Sequence, residues 1–406
     1  MKFCMVTTFY PPYHLGGDAT FVLNLATELG RRGHQVDVVH DIDAYHVLRP
    51  GVHPPPLAAP PGVTVHPLAS PFGRLSPLAT HQTGRPLLKP ALRRLLGGGG
   101  HDVIHFHNAS LVGPGAFSLG HAVKLYTMHE QWLLCPLSLL WKFNREACEQ
   151  PSCTRCCLRA WRPPQWWRST GYLGSQLAHI DRFLAPSAFA QETHRRRGLD
   201  LPVTVLPNFV TDAGPPVGDT PPPHPRPYFL FVGRLVTPKG LHSLLPLWRD
   251  VADADLVVAG EGEQASALRR MAAGQPNVVF LGAVANEALR PLYRHALATI
   301  VPSVSYEVFP TVVLESFREG TPVIGRNLGG IAEMVGEAGG GLLYGNDGEL
   351  REAVARLRQS PELRREFGGR GRRHFDARWT VDAHMTAYLG IIEACARPRA
   401  GRAHQA

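Results

Sequence analysis

No uninterrupted apolar run in this sequence approaches the roughly 20 residues that a membrane helix requires, which excludes a chain threaded through a bilayer in that way. A secretory leader pattern is missing too. Met1-Lys2-Phe3-Cys4-Met5-Val6-Thr7-Thr8 carries one positive charge, lacks a small-residue cleavage site and runs straight into Tyr10-Pro11-Pro12. A buried first strand, and with it a cytoplasmic protein, is the expectation. Cysteine is scarce outside one segment: of 7 in the chain, Cys135, Cys148, Cys153, Cys156 and Cys157 fall close together, unlike the chain-wide spacing of a secreted disulfide scaffold. No basic motif interleaved with aromatics marks the chain as an RNA binder. The net charge of +9 therefore points to phosphate-bearing small molecules or an anionic membrane surface, and not to nucleic acid.

What is present has the balance of a globular chain, 44% hydrophobic and 18% charged, and 406 residues exceed one ordinary core, so two domains are expected. Phe3 to Thr7 reads as a strand, followed by a loop with Gly16-Gly17. Phe21, Val22, Leu25, Ala26 and Leu29 then recur at helical spacing, with Gly33 as the stop. Gln35 to Val39, Asp102 to His107, Lys124 to His129, Arg182 to Ala185 and Val203 to Leu206 read as further strands, and proline-rich loops fill 50–62. Residues 211–227 hold too many prolines for a helix or a central strand. The alternation then restarts with Tyr228 to Val232, Leu256 to Ala259, Val278 to Leu281 and Ala298 to Val301. Strands alternating with helices predict parallel sheets. The expected fold class is α/β with two Rossmann-like domains. The first spans 1–210 with a Cys-rich insertion at about 135–160, and the second spans 228–375. A helix over 376–395 packs back on the first domain, and 396–406 forms a flexible tail. Ligands of such sheets collect at the carboxyl ends of the strands, which places the chemistry in the cleft between the halves.

Two sets of residues carry chemistry in the second half. Phe231-Val232-Gly233-Arg234-Leu235 ends a strand, and Lys239-Gly240 opens a helix. Two cations beside a helix N-terminus make an anion site, although a solvated turn would read the same way. In Tyr306-Glu307-Val308-Phe309-Pro310-Thr311-Val312-Val313-Leu314-Glu315 the helix should start at Thr311. Glu315 then lies one turn in and Glu307 in the loop before it, so both carboxylates can face one ligand and accept from vicinal sugar hydroxyls.

Taken together, Gly233-Arg234-Leu235, Lys239-Gly240, Gly260-Glu261-Gly262-Glu263, Glu307-x7-Glu315, Gly320-Thr321-Pro322-Val323 and Gly329-Gly330 resemble the family 4 retaining glycosyltransferases of GT-B architecture. Gly16-Gly17, Asp102 to Asn108, Thr127 to Pro136, Ala185-Pro186-Ser187 and Leu206-Pro207-Asn208-Phe209 agree, so the resemblance runs to about Trp379. It implies a metal-independent transfer of a hexosyl-type sugar from a nucleotide-diphosphate donor to a saccharide, lipid-linked or natural-product acceptor, with retention at the anomeric carbon. It implies that Arg234 and Lys239 hold the diphosphate, Glu315 the ribose and Glu307 the sugar hydroxyls. Backbone groups near Phe309, Pro310 and Thr311 would touch sugar or phosphate, Gly16 and Gly17 would admit the phosphates closely, and His129 would line the reacting centre. His105, Asn108 and Glu130 would line the acceptor cleft. The chain departs from the family in having His129-Glu130 for the common His-Asp, and Asn208-Phe209 for the frequent Asn-Gly.

Other signals read differently. Asp41-Ile42-Asp43 and Asp253-Ala254-Asp255 have the spacing of a cation-holding pair but lie where turn carboxylates are expected. Cys135, Cys148, Cys153 and Cys156 could hold a structural zinc, or could be reduced buried thiols. The Trp/Arg run 159–168 has the composition of a peripheral membrane-contact patch. A nucleotide-sugar 2-epimerase of the same fold, or a non-catalytic sugar-nucleotide-binding subunit, would share much of this pattern. The donor base depends on backbone contacts near Gly282-Ala283-Val284, which side-chain identity does not encode.

Overall fold

The computed structural model describes residues 1–211 and 221–403. Residues 212–220, the centre of the proline-rich 211–227 segment, and residues 404–406, the end of the tail, lie outside the described residues. The first half builds a parallel seven-stranded sheet from β1 (Lys2–Thr7), β2 (Gln35–Asp41), β3 (Val63–Leu68), β4 (Val103–Asn108), β5 (Val123–Thr127), β8 (Arg182–Ala185) and β9 (Val203–Val205). A small antiparallel hairpin, β6 (Trp141–Lys142) with β7 (Glu146–Ala147), stands apart in the Cys-rich segment. The second half builds a six-stranded parallel sheet from β10 (Tyr228–Val232), β11 (Asp255–Ala259), β12 (Val278–Gly282), β13 (Thr299–Val301), β14 (Val323–Arg326) and β15 (Gly341–Tyr344).

The strand orders are β3-β2-β1-β4-β5-β8-β9 and β12-β11-β10-β13-β14-β15. Both reverse direction beside their first strand, between β1 and β4 and between β10 and β13, and each reversal opens a crevice at the strands' carboxyl ends. The central strands β1 and β10 are near-continuous apolar runs because helices cover both faces of a parallel sheet, and β4 is buried along its length although it carries His105, His107 and Asn108. The chain therefore has two Rossmann-like domains.

Helix Gly17–Arg31 buries Phe21, Val22, Leu25, Ala26 and Leu29, the stripe read from the sequence. Burial of each larger side chain stabilises by about 1.5–3 kcal/mol relative to exposure. Gly33 follows in the left-handed region at φ +82°, its N–H bonded to Gly30 O at 2.9 Å, which is the backbone a side chain would strain. β3 escaped the sequence reading because it is an edge strand, only partly buried and carrying Pro67, so its alternation is blurred.

Two further contacts fix the halves against each other. Ser187 caps helix Ala188–Arg196 by accepting from Ala190 N, and its hydroxyl donates to Val308 O at 2.7 Å across the seam. Glu333, on helix Gly329–Ala338, accepts from Ala188 N at 2.7 Å and Phe189 N at 2.5 Å, supplying the negative charge that helix terminus favours. The last helix, Val381–Ala403, returns to the first half and buries Met385, Tyr388 and Ile392 with Phe3, Phe21 and Val36. Among the described residues no helix is long and apolar enough to cross a membrane.

Candidate active site

Lys239 ends the short turn Thr237–Lys239, and Gly240 follows at φ +75°. A Cβ on Gly240 would stand 2.0 Å from Pro302 O, so only glycine lets this turn close against the loop beyond β13. The close approach brings Lys239 Nζ to 2.7 Å from Glu307 Oε1, which also accepts from Ser303 Oγ at 2.8 Å. Burial pushes the Glu307 carboxyl upward, but Lys239, Ser303 and the nearby Arg234 outweigh it and hold the group below its ordinary value, ionised at neutral pH. Arg234 is exposed at the end of β10. The loop carrying Glu307 is held by both of its carbonyls. Glu307 O accepts from Gly330 N at 2.9 Å, and Val308 O accepts from Ser187. A Cβ on Gly330 would lie 2.2 Å from Val308 O, which explains the Gly329-Gly330 pair.

Four residues after Glu307, helix Thr311–Arg318 begins, as the sequence predicted, with Pro310 at its N-cap and buried Phe309 edge-on to Trp379. Thr311 and Glu315 line a cavity of about 380 Å³ between the halves, together with Gly17, Phe21, Tyr293 and Arg318. Tyr293 donates its hydroxyl to Glu315 Oε2 at 2.5 Å. Burial raises the Glu315 carboxyl above its usual range, against the opposing pull of the Tyr293 hydroxyl and Arg318.

The first half gathers its polar groups around Asp18, in the opening turn of helix Gly17–Arg31. Asn108 Nδ2 donates to Asp18 Oδ2 at 3.0 Å, while Asn108 Oδ1 accepts from Ser110, so Asn108 is a buried strut for the helix start. Burial, reinforced by the Asp18 charge, pushes Glu130 up to about 8. His129 is pushed down to about 4 by burial against a small opposing pull from Asp18, so its ring is neutral. Its ring packs 5.1 Å from Phe21, one residue behind the cavity wall.

The tautomer of His129 follows from its neighbours. His107, fully buried and also neutral, places Nε2 at 3.4 Å from Met5 Sδ, and a thioether can only accept. Its proton is therefore on Nε2, and its Nδ1 must accept the 3.0 Å bond from His129 Nε2. His129 is left with Nδ1 bare, an acceptor for a hydroxyl.

The family described as Glycosyl transferases group 1 matches residues 218–374, and Glycosyltransferase Family 4 matches residues 15–213. The chain belongs to the family 4 glycosyltransferases. This glycosyltransferase is 29% identical over 407 aligned residues to a GDP-mannose-dependent alpha-mannosyltransferase of Mycolicibacterium smegmatis, covering 96% of the chain and 98% of that protein. It is 27% identical to a glycogen synthase of Mycobacterium tuberculosis over 96% of the chain and 94% of the relative. A stretch of 112 residues, 26% of the chain, is 38% identical to an uncharacterized glycosyltransferase of Methanocaldococcus jannaschii and spans 28% of it. Among solved structures, a sucrose-phosphate synthase of Thermosynechococcus elongatus superposes with a TM-score of 0.74 at 20% identity, over 97% of this chain and all of that one (100%). An Anabaena protein crystallised with UDP and glucose gives 0.67 at 18% identity, over 96% and 99%. At these identities the two structures speak for the fold alone.

One expectation changes in the structure of this glycosyltransferase, and the cysteine and Asp-x-Asp readings acquire a geometry. His105 does not line the acceptor cleft: it is buried, with Nδ1 2.9 Å from the Tyr388 hydroxyl and Nε2 2.7 Å from Thr127 Oγ1, so it pins the last helix to the first sheet. Among the described residues no three His, Cys, Asp or Glu side chains are placed to hold a metal ion, while Cys148 and Cys153 each lie close enough to Cys135 and Cys156 to feel their charge. Cys148 is buried while Cys153 is exposed on helix Cys153–Arg159. Asp41 forms a buried pair with Lys89 and caps helix Ile42–Leu48, and Asp43 accepts from Ser70 N at 2.7 Å. Asp253 pairs with Arg358, and Asp255 with His224 and Arg226, at the amino end of β11 and far from the strand termini that face the cleft.

Residues the sequence reading passed over complete the site. Asp18, Tyr293, Ser303 and Arg318 bond to its named groups or line the same cavity. Only Asp18, two positions after Gly16 at a helix start, had a local signal.

Proposed function

We infer that this glycosyltransferase moves a hexosyl sugar from a nucleotide-diphosphate donor, with retention and without a metal, to a saccharide, lipid-linked or natural-product acceptor. The observation that carries the reading is the cationic corner at the mouth of the second sheet, where Lys239 and Arg234 converge on the ionised Glu307. Lys239 has three N–H donors and spends one on Glu307, so two remain for phosphate oxygens. The names of the mannosyltransferase relative and of the Anabaena complex, with GDP-mannose in one and UDP and glucose in the other, support a nucleotide-linked hexose.

The roles follow from the geometry. Arg234 and Lys239 neutralise the diphosphate as the sugar departs, which is charge stabilisation fixed in place before reaction. Glu307, held by its own backbone carbonyls, accepts from sugar hydroxyls. Glu315, raised by burial and bonded to Tyr293, takes the ribose in the cavity beside Thr311. His129 Nδ1 accepts a hydroxyl of the transferred sugar, and Gly16 and Gly17 let the first half's backbone approach the phosphates. The engaged Asp-x-Asp pairs support the metal-independent reading, since their carboxylates already hold cations or backbone of this chain. In the transfer step the bond from the anomeric carbon to the phosphate oxygen breaks while the acceptor oxygen bonds on the same face. The departing phosphate oxygen receives the acceptor's proton, so no separate base is needed.

The test is a melting-shift and turnover screen over UDP-, GDP-, ADP- and dTDP-sugars, with and without chelator, followed by NMR of the product's anomeric centre. Lys239→Ala and Glu315→Ala should each abolish the donor-induced shift. An inverted product, loss of turnover on chelation, or unchanged shifts in both variants would refute the reading.

A further inference from the structure

Between Asp43 and Asp102 the sequence has no acidic residue, and between Glu149 and Asp181 it has none again, while arginine continues through both stretches. The fold brings the two stretches together. Helix Leu75–Thr83 lies against the turn Trp166–Ser169, with Trp167 Nε1 donating to His81 O at 2.9 Å. Arg155, Arg159 and Arg162 are exposed, and none forms an ion pair among the described residues.

Large apolar side chains are exposed on the same two stretches. Trp161 is 93% exposed, Leu75 63%, Trp166 60% and Leu158 59%, with Phe72, Leu78 and Leu139 exposed beside them. Half of the exposed large hydrophobics of the described chain fall on these two packed stretches and the adjoining Leu139, which is more than the usual scatter. Leu139, Leu158, Trp161, Arg159 and Arg162 also line a groove of about 970 Å³ whose far wall includes Glu263, from the loop after β11. That loop packs on Gly233, at the mouth of the second sheet, so the groove opens beside the catalytic cleft.

We propose that this face docks the enzyme on an anionic bilayer surface, with Trp161, Leu158 and Leu75 entering the headgroup layer and Arg155, Arg159 and Arg162 meeting lipid phosphates. The mixture decides among occupants. Exposed aliphatic leucines have no use for a free saccharide or a nucleic acid, whereas Trp and Leu interspersed with arginine, on two stretches that carry no Asp or Glu, match an interface that is apolar below and anionic above. The inference does not depend on the donor site, and it would place a membrane-held acceptor at the cleft.

The experiment is sedimentation of the full chain with vesicles of phosphatidylcholine, alone or mixed with phosphatidylglycerol, at two salt concentrations. Binding should require phosphatidylglycerol and weaken with salt. Each arginine near the surface is worth roughly a fivefold change in affinity, so Arg159→Ser with Arg162→Ser should weaken binding about 25-fold. Trp161→Ser, and separately Leu75→Ser with Leu78→Ser on the other stretch, should weaken it at equal charge. All variants should keep the wild-type melting temperature and nucleotide-induced shift. Absence of wild-type binding, equal binding by the variants, or a concentration-dependent dimer in light scattering that the same variants abolish would each overturn the proposal.

Discussion

Replacing Lys239 by Met keeps an unbranched stem and removes one charge from the corner where Glu307 sits. Two interactions go with it. The charge-assisted bond to Glu307, at 2.7 Å, belongs to a class worth about 1.5–3 kcal/mol. A fixed donor facing charge that develops in a transition state is worth about 2.7–4 kcal/mol. Arg234 remains to share the phosphate charge, so the expected loss is about 3 kcal/mol, on the order of 150-fold in kcat/KM. Glu307→Gln removes the other partner, and the double variant should fall well short of the product of the two single losses, because the pair acts as a unit. The acid side of stability gives an independent readout. Glu307 has a folded-state pKa below its unfolded value, so its contribution is complete above the unfolded value and is lost as pH falls through the folded one. In Lys239→Met, burial of Glu307 meets less opposition, its pKa rises, and this part of the acid destabilisation should flatten. The assay is steady-state transfer at saturating acceptor with chelator present, alongside nucleotide-induced melting shifts. A kcat/KM within threefold of wild type, with an unchanged nucleotide shift, would refute the assignment of Lys239.

Tyr293→Phe removes the hydroxyl donor of buried Glu315 and should weaken nucleotide binding by roughly tenfold in calorimetry, through loss of one bond to a charged group. Ser187→Ala deletes both a helix cap and the bond to Val308 O, and should cost about 2 kcal/mol in chemical denaturation. Lys89→Met strands buried Asp41 without its cation and should cost about 3–5 kcal/mol, whereas removing both partners should come back toward wild type. His40, His129 and His384 are each pushed down to about 4 by burial, and His105 and His107 well below the ordinary value. The unfolded chain binds these protons first, so stability is complete above about pH 6.5 and falls toward pH 4, on the order of 1.4 kcal/mol per pH unit for each histidine. A melting temperature flat over that window would contradict the burial of this cluster.

The fold was legible where local pattern and tertiary environment agree. Phe229, Leu230 and Phe231 in β10 and the five-residue stripe of helix Gly17–Arg31 are buried on the faces their periodicity demanded. Pro310 placed the start of helix Thr311–Arg318 to the residue. Edge elements were less legible. β3 tolerates Pro67 because one side of an edge strand has no partner to lose, and β14 and β15 span only four residues each, too few to show a period. The last helix buries Met385, Tyr388 and Ile392 against the first half.

The site divides along the same line. Arg234, Lys239, Glu307, Thr311 and Glu315 could be read because each sits at a strand end, a turn or a helix start, where local sequence fixes direction. His105 misled for a geometric reason: it shares a face of β4 with His107, but that face is covered along its length by helices, and only the strand's carboxyl end reaches the cleft. Two residues of register thus separate a core histidine from one that sets the state of the site. His107 acts on His129 through a chain of single-option bonds: Met5 can only accept, so His107 must donate there and accept from His129, which leaves His129 Nδ1 bare. No spacing rule contains that sequence of constraints, because Met5, His107 and His129 lie on three different strands or strand ends. The hydrogen-bonding state of the His129 imidazole is a property of the assembled sheet.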